Sequence, residues 1–208
     1  MRRPRLQNRV LPTGEIVADP ARGLFTGNRG ILHRPDGTFG TSRWAHKHWI
    51  VCTLTHPRGT YHGPMPARGW TALFFLDEAV ALAAGHRPCA ECRREAFLRF
   101  REAWSRASGE AARAPGMDEA LHRARVLRTR AQKRHEAPLA GLPDGTFVLK
   151  DGRPCLVLGD ALLPFSPGGY GVPLPRREGR ATVLTPAPAV AALRAGYAPV
   201  LHPSAFGG

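Results

Sequence analysis

Long apolar runs are missing from this 208-residue chain. The longest, Ala79 to Ala84, falls far short of the roughly 20 residues a membrane helix needs. The first nine residues carry charge with no apolar stretch behind them, so the sequence predicts no secretory leader and a cytoplasmic protein. No Gly-x-Ser-x-Gly elbow, Walker loop or dinucleotide fingerprint occurs, which argues against a nucleotide cofactor. Gly168-Gly169-Tyr170-Gly171 lacks a following helix and reads as a turn.

Lysine is also scarce: Lys47, Lys133 and Lys150 stand against 27 arginines. Only 16 acidic residues offset these, leaving a formal charge of +14. Codon bias alone would enrich arginine. A surplus this large nevertheless suits a polyanion, because each neutralised phosphate releases counterions and the planar guanidinium donates two parallel bonds to it. The expected partner is nucleic acid, DNA first, with a membrane surface as the lesser alternative.

The pattern along the chain predicts an α+β fold. Residues 1–30 read as a basic arm with one short strand at Glu15–Ala18 and a loop marked by Gly23, Gly27 and Gly30. Residues 31–70 alternate short apolar runs with turn signals, and Trp49–Leu54 is the best strand. Asp77 and Gly85 bracket a helix over 78–84, and a second helix starts near Cys92. Residues 108–117 read as a linker.

A third helix is predicted over Asp118–His135, with Met117, Leu121, Ala124, Leu127 and Ala131 as its apolar stripe and Arg123, Arg130 and Arg134 along one edge. That edge is either a solvated face or a ridge that tracks phosphates. The remainder to Gly208 reads as β-rich, with a hairpin across Asp151-Gly152 and a short helix over 187–194.

Four cysteines are present, and in a cytoplasmic chain disulfides are not expected. Cys89-Ala90-Glu91-Cys92 has the spacing at which two thiolates reach one metal, or form a redox dithiol. Cys52-Thr53-Leu54-Thr55-His56 supplies a second half-site upstream. Together Cys52, His56, Cys89 and Cys92 predict a tetrahedral Zn2+ site, with Cys155 left over. The alternative is that Cys52 and Cys155 are buried small residues and His56 is incidental.

Phe74 to Arg93, with its aromatic pair, its helix ending in Ala83-Ala84-Gly85 and its Arg87-Pro88-Cys89-x2-Cys92-Arg93, closely resembles the second half of the zinc-binding amino-terminal domain of the Ada family of DNA-repair proteins. The resemblance covers about residues 31–95 and continues upstream in outline through Asp36, Gly37, Phe39 and Ile50-x-Cys52-x3-His56. It implies a zinc-binding domain over 31–107 that faces DNA, with Arg87 on phosphate and Arg58 loosely in place of a second arginine. Those proteins receive methyl groups from DNA phosphotriesters on the first ligand, which corresponds to Cys52. In the Ada family the second ligand is cysteine. His56 here leaves the zinc site one negative charge instead of two, a poorer nucleophile, so the likeness implies a retained DNA-facing scaffold more than methyl transfer.

Around that site the sequence places Lys47, Arg58, Arg87, Arg93 and Arg94 as phosphate contacts, with Arg123, Arg130 and Arg134 beyond. Trp44 and Trp49 are candidates to stack on bases or to fill a core. His48 is the best-placed general base, and Asp118, Glu119 and His122 on one helical turn either bind a divalent ion or complement a helix dipole. Three functions follow: a zinc-bearing DNA-binding protein of repair or damage processing, a nuclease-type enzyme using histidine or a second metal, and a regulator that binds nucleic acid without chemistry.

Overall fold

A computed structural model describes residues 6–56, 59–60 and 70–207, and of His56, Gly59 and Thr60 only the backbone. The first half of the chain supplies β1 (Arg9–Val10), β2 (Ile16–Val17), β3 (Phe25–Asn28), β4 (Ile50–Thr53), β5 (Thr55–His56), β6 (Gly59–Thr60) and β7 (Leu73–Phe75). Helix α1 (Glu78–Ala83), strand β8 (Arg87–Pro88) and helices α2 (Arg94–Ser108) and α3 (Ala114–Arg125) follow. The second half supplies β9 (His135–Pro138), β10 (Phe147–Lys150), β11 (Arg153–Leu158), β12 (Ala161–Ser166), β13 (Gly169–Tyr170), β14 (Leu174–Pro175), β15 (Arg180–Val183) and α4 (Ala187–Arg194). The fold is mixed α+β. One sheet runs β2-β1-β7-β3-β4-β8, and the other runs β13-β12-β11-β10-β15-β9 with β14 on β12. No helix among the described residues is long and apolar enough to cross a membrane.

Residues of both sheets share one apolar core: Phe25, Val51, Leu73 and Phe75 from the first meet Phe147, Leu156 and Leu163 from the second around α1. Every residue of α1 is buried. Its ends follow the sequence: Asp77 caps it by accepting the Val80 N–H, and Gly85, at φ +83°, closes it with His86 N–H on the Ala81 carbonyl and Gly85 N–H on the Leu82 carbonyl. The hairpin over Asp151-Gly152 and the helix at 187–194 also form where the sequence predicts them.

Three stretches differ from the sequence reading. Residues 9–28 hold the short strand expected at 15–18 and two further strands, β1 and β3, in place of an arm and loop, and Gly27 lies within β3, where a Cβ would sit 2.5 Å from the Phe75 ring. Of the span 108–117, residues 109–113 form the expected connection, opened by the left-handed cap Gly109 of α2, while the last four residues already belong to the first turn of α3. Helix α3 stops ten residues before His135. After Arg125 the chain turns extended at Val126, bridges to Gln132, and reverses through Arg130 at φ +68°. The spacing of Leu127 and Ala131 is therefore coincidence, since both are exposed. Arg123, Arg130 and Arg134 share no helix edge, and the ridge expected of them does not form. The Gln132 amide instead donates to three carbonyls, Pro12, Ala83 and Leu184.

Candidate metal centre

The metal ligands come together through a short parallel pairing. Ile50 and Val51 of β4 stand in register with Arg87 and Pro88 of β8, and the Cys89 N–H donates to the Val51 carbonyl at 3.0 Å. Two strands running the same way thus end side by side, one on Cys52 and the other on Cys89. The chain then turns: the Glu91 N–H points at Cys89 Sγ from 3.4 Å, the Arg93 N–H meets the Cys89 carbonyl, and α2 begins at Arg94. This turn brings Cys92 back, and the sulfurs of Cys52, Cys89 and Cys92 all lie within 4.8 Å of one another.

Three sulfurs this close can hold a metal ion, since a Zn–S distance near 2.3 Å implies tetrahedral S···S edges of about 3.8 Å. Without one they share protons. Hydrogen bonds from Cys52 and Cys92 hold the Cys89 thiol far below its ordinary range, while Cys52, the donor in that contact, is driven up. The side chain of His56 lies outside the described residues; its backbone forms β5, immediately past Cys52 on the chain. Cys155 is buried in β11, away from this cluster.

Beside the cysteines the structure joins two groups that are 70 residues apart in sequence. His48 Nδ1 lies 2.8 Å from Asp118 Oδ2, and Lys47 Nζ lies 2.7 Å from Glu119 Oε1. The Asp118 side chain is 2% exposed and also receives Arg87 Nε and Nη2, both at 2.8 Å. His48, by contrast, keeps 62% of its side chain in solvent. The buried carboxylate thus orients an exposed imidazole, as a carboxylate orients a general base. His48 and Cys52 are four residues apart, so their Cα atoms are at most about 14 Å from each other.

Asp118, Glu119 and His122 do not converge on an ion. Asp118 turns inward to Arg87, Glu119 outward to Lys47, and His122 packs edge-on against Trp44 beside the Arg125 guanidinium. Among the described residues, the three cysteines form the only cluster of His, Cys, Asp or Glu ligand atoms close enough to hold a metal.

The expected phosphate contacts divide. Arg87 is buried and bidentate to Asp118, and Arg93 is buried and bidentate to Glu78 at 2.8 and 2.9 Å. An arginine with both prongs on a buried carboxylate has no fork left for phosphate, so these two are corrected to structural ion pairs. Arg94 and Arg123 are exposed, as are Lys47 and, in the loop after α3, Arg130 and Arg134. Arg58 lies outside the described residues. Trp49 is 3% exposed and serves the core, so base stacking on it is ruled out.

Sequence reasoning missed Arg29, His86 and Arg125. Arg29 and Arg125 both place their guanidinium carbons within 4 Å of the Trp49 ring centroid, at 3.9 and 3.8 Å, and Arg29 Nε meets His86 Nε2 at 3.2 Å. Burial and the two arginine charges keep His86 neutral, well below the ordinary histidine range. A signal did exist for Arg125: it continues the buried positions Met117 and Leu121 at four-residue steps, an arginine where a helix faces its core. Arg29, between Asn28 and Gly30, offers no such pattern.

No protein-family model, curated protein or solved structure matches the chain, and nothing in these comparisons identifies an Ada-like domain.

Proposed function

We propose that the protein binds nucleic acid, DNA first, beside a zinc ion held by Cys52, Cys89 and Cys92 with His56 as fourth ligand, and that it serves DNA repair or the processing of DNA damage. The convergence of the three sulfurs at the ends of β4 and β8 carries this reading. Three soft thiolate donors select zinc or another thiophilic metal. Such an ion would offset two of the three thiolate charges and pin the lead-in of α2 to the sheet that carries β4 and β8. Lys47, Arg94 and Arg123, exposed on nearby segments of a chain carrying +14, then provide the phosphate contacts. The resemblance of residues 31–95 to the Ada zinc domain supports the same partner.

The test combines metal analysis with binding to labelled DNA across a salt series. Wild type is expected to carry about one zinc per chain, and Cys89→Ser with Cys92→Ser to carry none. The triple variant Lys47→Ala, Arg94→Ala, Arg123→Ala should flatten the dependence of log K on log salt by roughly 0.9 per lost contact. A metal-free wild type, or an unchanged slope, refutes the proposal.

A second reading, phosphodiester hydrolysis, is favoured by one observation: the exposed His48 imidazole is oriented by buried Asp118. His48→Gln is then expected to cut turnover on a cleavable DNA about 10²–10⁴-fold while binding holds. If wild type cleaves none of a panel of duplex, single-stranded and junction substrates, this reading falls.

A further inference from the structure

Arg29 is buried, and among the described residues the one hydrogen bond of its side chain goes to His86. Arg125, 2% exposed, donates to the carbonyls of Gly85 and Lys47 and lies 3.2 Å from His122 Nδ1. Neither arginine has a carboxylate partner among the described residues, and no Asp or Glu occurs at 1–5 or 57–69 to supply one. Asp118, whose charge reaches Arg125, is already held by Arg87 and His48. Arg29 Nη2 and Arg125 Nε are buried and unpaired. Leaving one buried guanidinium without a counter-charge costs several kcal/mol, and two against one indole also repel. Burial and the Arg125 charge push Arg29 well down, as burial pushes Arg125 down.

These two side chains line a cavity of about 130 Å³. Its rim carries two more arginines, the exposed Arg43 and Arg130, and its one acid, Glu15, accepts the Thr13 hydroxyl. Arg130 holds the rim in a left-handed backbone at φ +68° and donates to the Thr41 carbonyl. With one water taking about 30 Å³, the space has room for a phosphate group.

We propose that this cavity binds an oxyanion, a phosphate group by preference, since its double negative charge matches the two fixed charges of Arg29 and Arg125. The phosphate comes from free phosphate or from the end of a nucleic-acid strand, and the site stands whether or not the nucleic-acid reading above does.

Calorimetric titration with inorganic phosphate, against chloride at matched ionic strength, tests it, together with 5′-phosphorylated and 5′-hydroxyl oligonucleotides. Wild type is expected to bind phosphate saturably, or to prefer the phosphorylated oligonucleotide at least tenfold. Arg43→Ala with Arg130→Ala, both exposed, should weaken whichever binding is seen tenfold or more, and Arg29→Lys, which keeps charge but loses the fork, should do the same. Inorganic phosphate bound without any oligonucleotide supports the cavity and removes the nucleic-acid reading. A preference for the phosphorylated end supports both. The proposal is overturned if phosphate acts no differently from chloride while the two oligonucleotides bind alike, or if the rim variants keep full affinity.

Discussion

What an arginine can offer a ligand depends on what already holds it. Arg87 and Arg93 flank the Cys89-x2-Cys92 motif in sequence, yet each is consumed by a buried acid, Asp118 and Glu78. Removing one member of such a pair strands the other charge. Asp118→Ala is therefore expected to lose about 3–5 kcal/mol in urea unfolding. His48→Ala, at the solvent end of the same contact, should stay within about 0.5 kcal/mol. Equal losses would mean that Asp118 is not the anchor of this cluster. The cysteines were legible because a thiolate's purpose is written in its spacing. The arginines were not, because a guanidinium looks the same in sequence whether it faces phosphate, a carboxylate or an indole ring.

Among the elements, α1 was the most legible, because its start and stop are local events at Asp77 and Gly85. Gly85 does two jobs: it adopts φ +83°, and it leaves room for Arg125, whose Cδ would lie 2.4 Å from an added Cβ. Gly85→Ala should cost about 2–5 kcal/mol, from left-handed strain plus overpacking, and appear as a lowered denaturant midpoint with an unchanged slope. An unaltered midpoint would show that Arg125 can move aside freely. Helix α3 was misjudged at both ends for a related reason. Its stop is not written in a proline or glycine but in the tertiary bonds of Arg125 to Gly85 and Lys47, which no local window contains. Strand β2 lies within the stretch the sequence marks at 15–18, but β1 and β3 were missed likewise, because they exist through pairing with β7, far along the chain.

For the whole molecule, stability depends on protons through groups buried in neutral form. His86, wholly buried against two arginine charges, does not protonate in the native state. Below about pH 6.5 the unfolded chain takes up a proton there that the folded chain refuses, so stability falls as pH drops, by about 1.4 kcal/mol per pH unit for this one group. Unfolding midpoints measured from pH 7 to 5 should decline, and the decline should shrink in His86→Gln. A flat profile would contradict the neutral state of His86.

The amide of Gln132 leaves the molecule without a seam. It answers to the turn after β1, to the end of α1 and to the strand exit at Leu184. A cut between Ala83 and Gln132 parts the amide from the Pro12 and Ala83 carbonyls, and a cut between Gln132 and Leu184 parts it from the Leu184 carbonyl. The piece that keeps the cysteines would then inherit an open flank beside α1, so the thiol site is best studied in the intact chain.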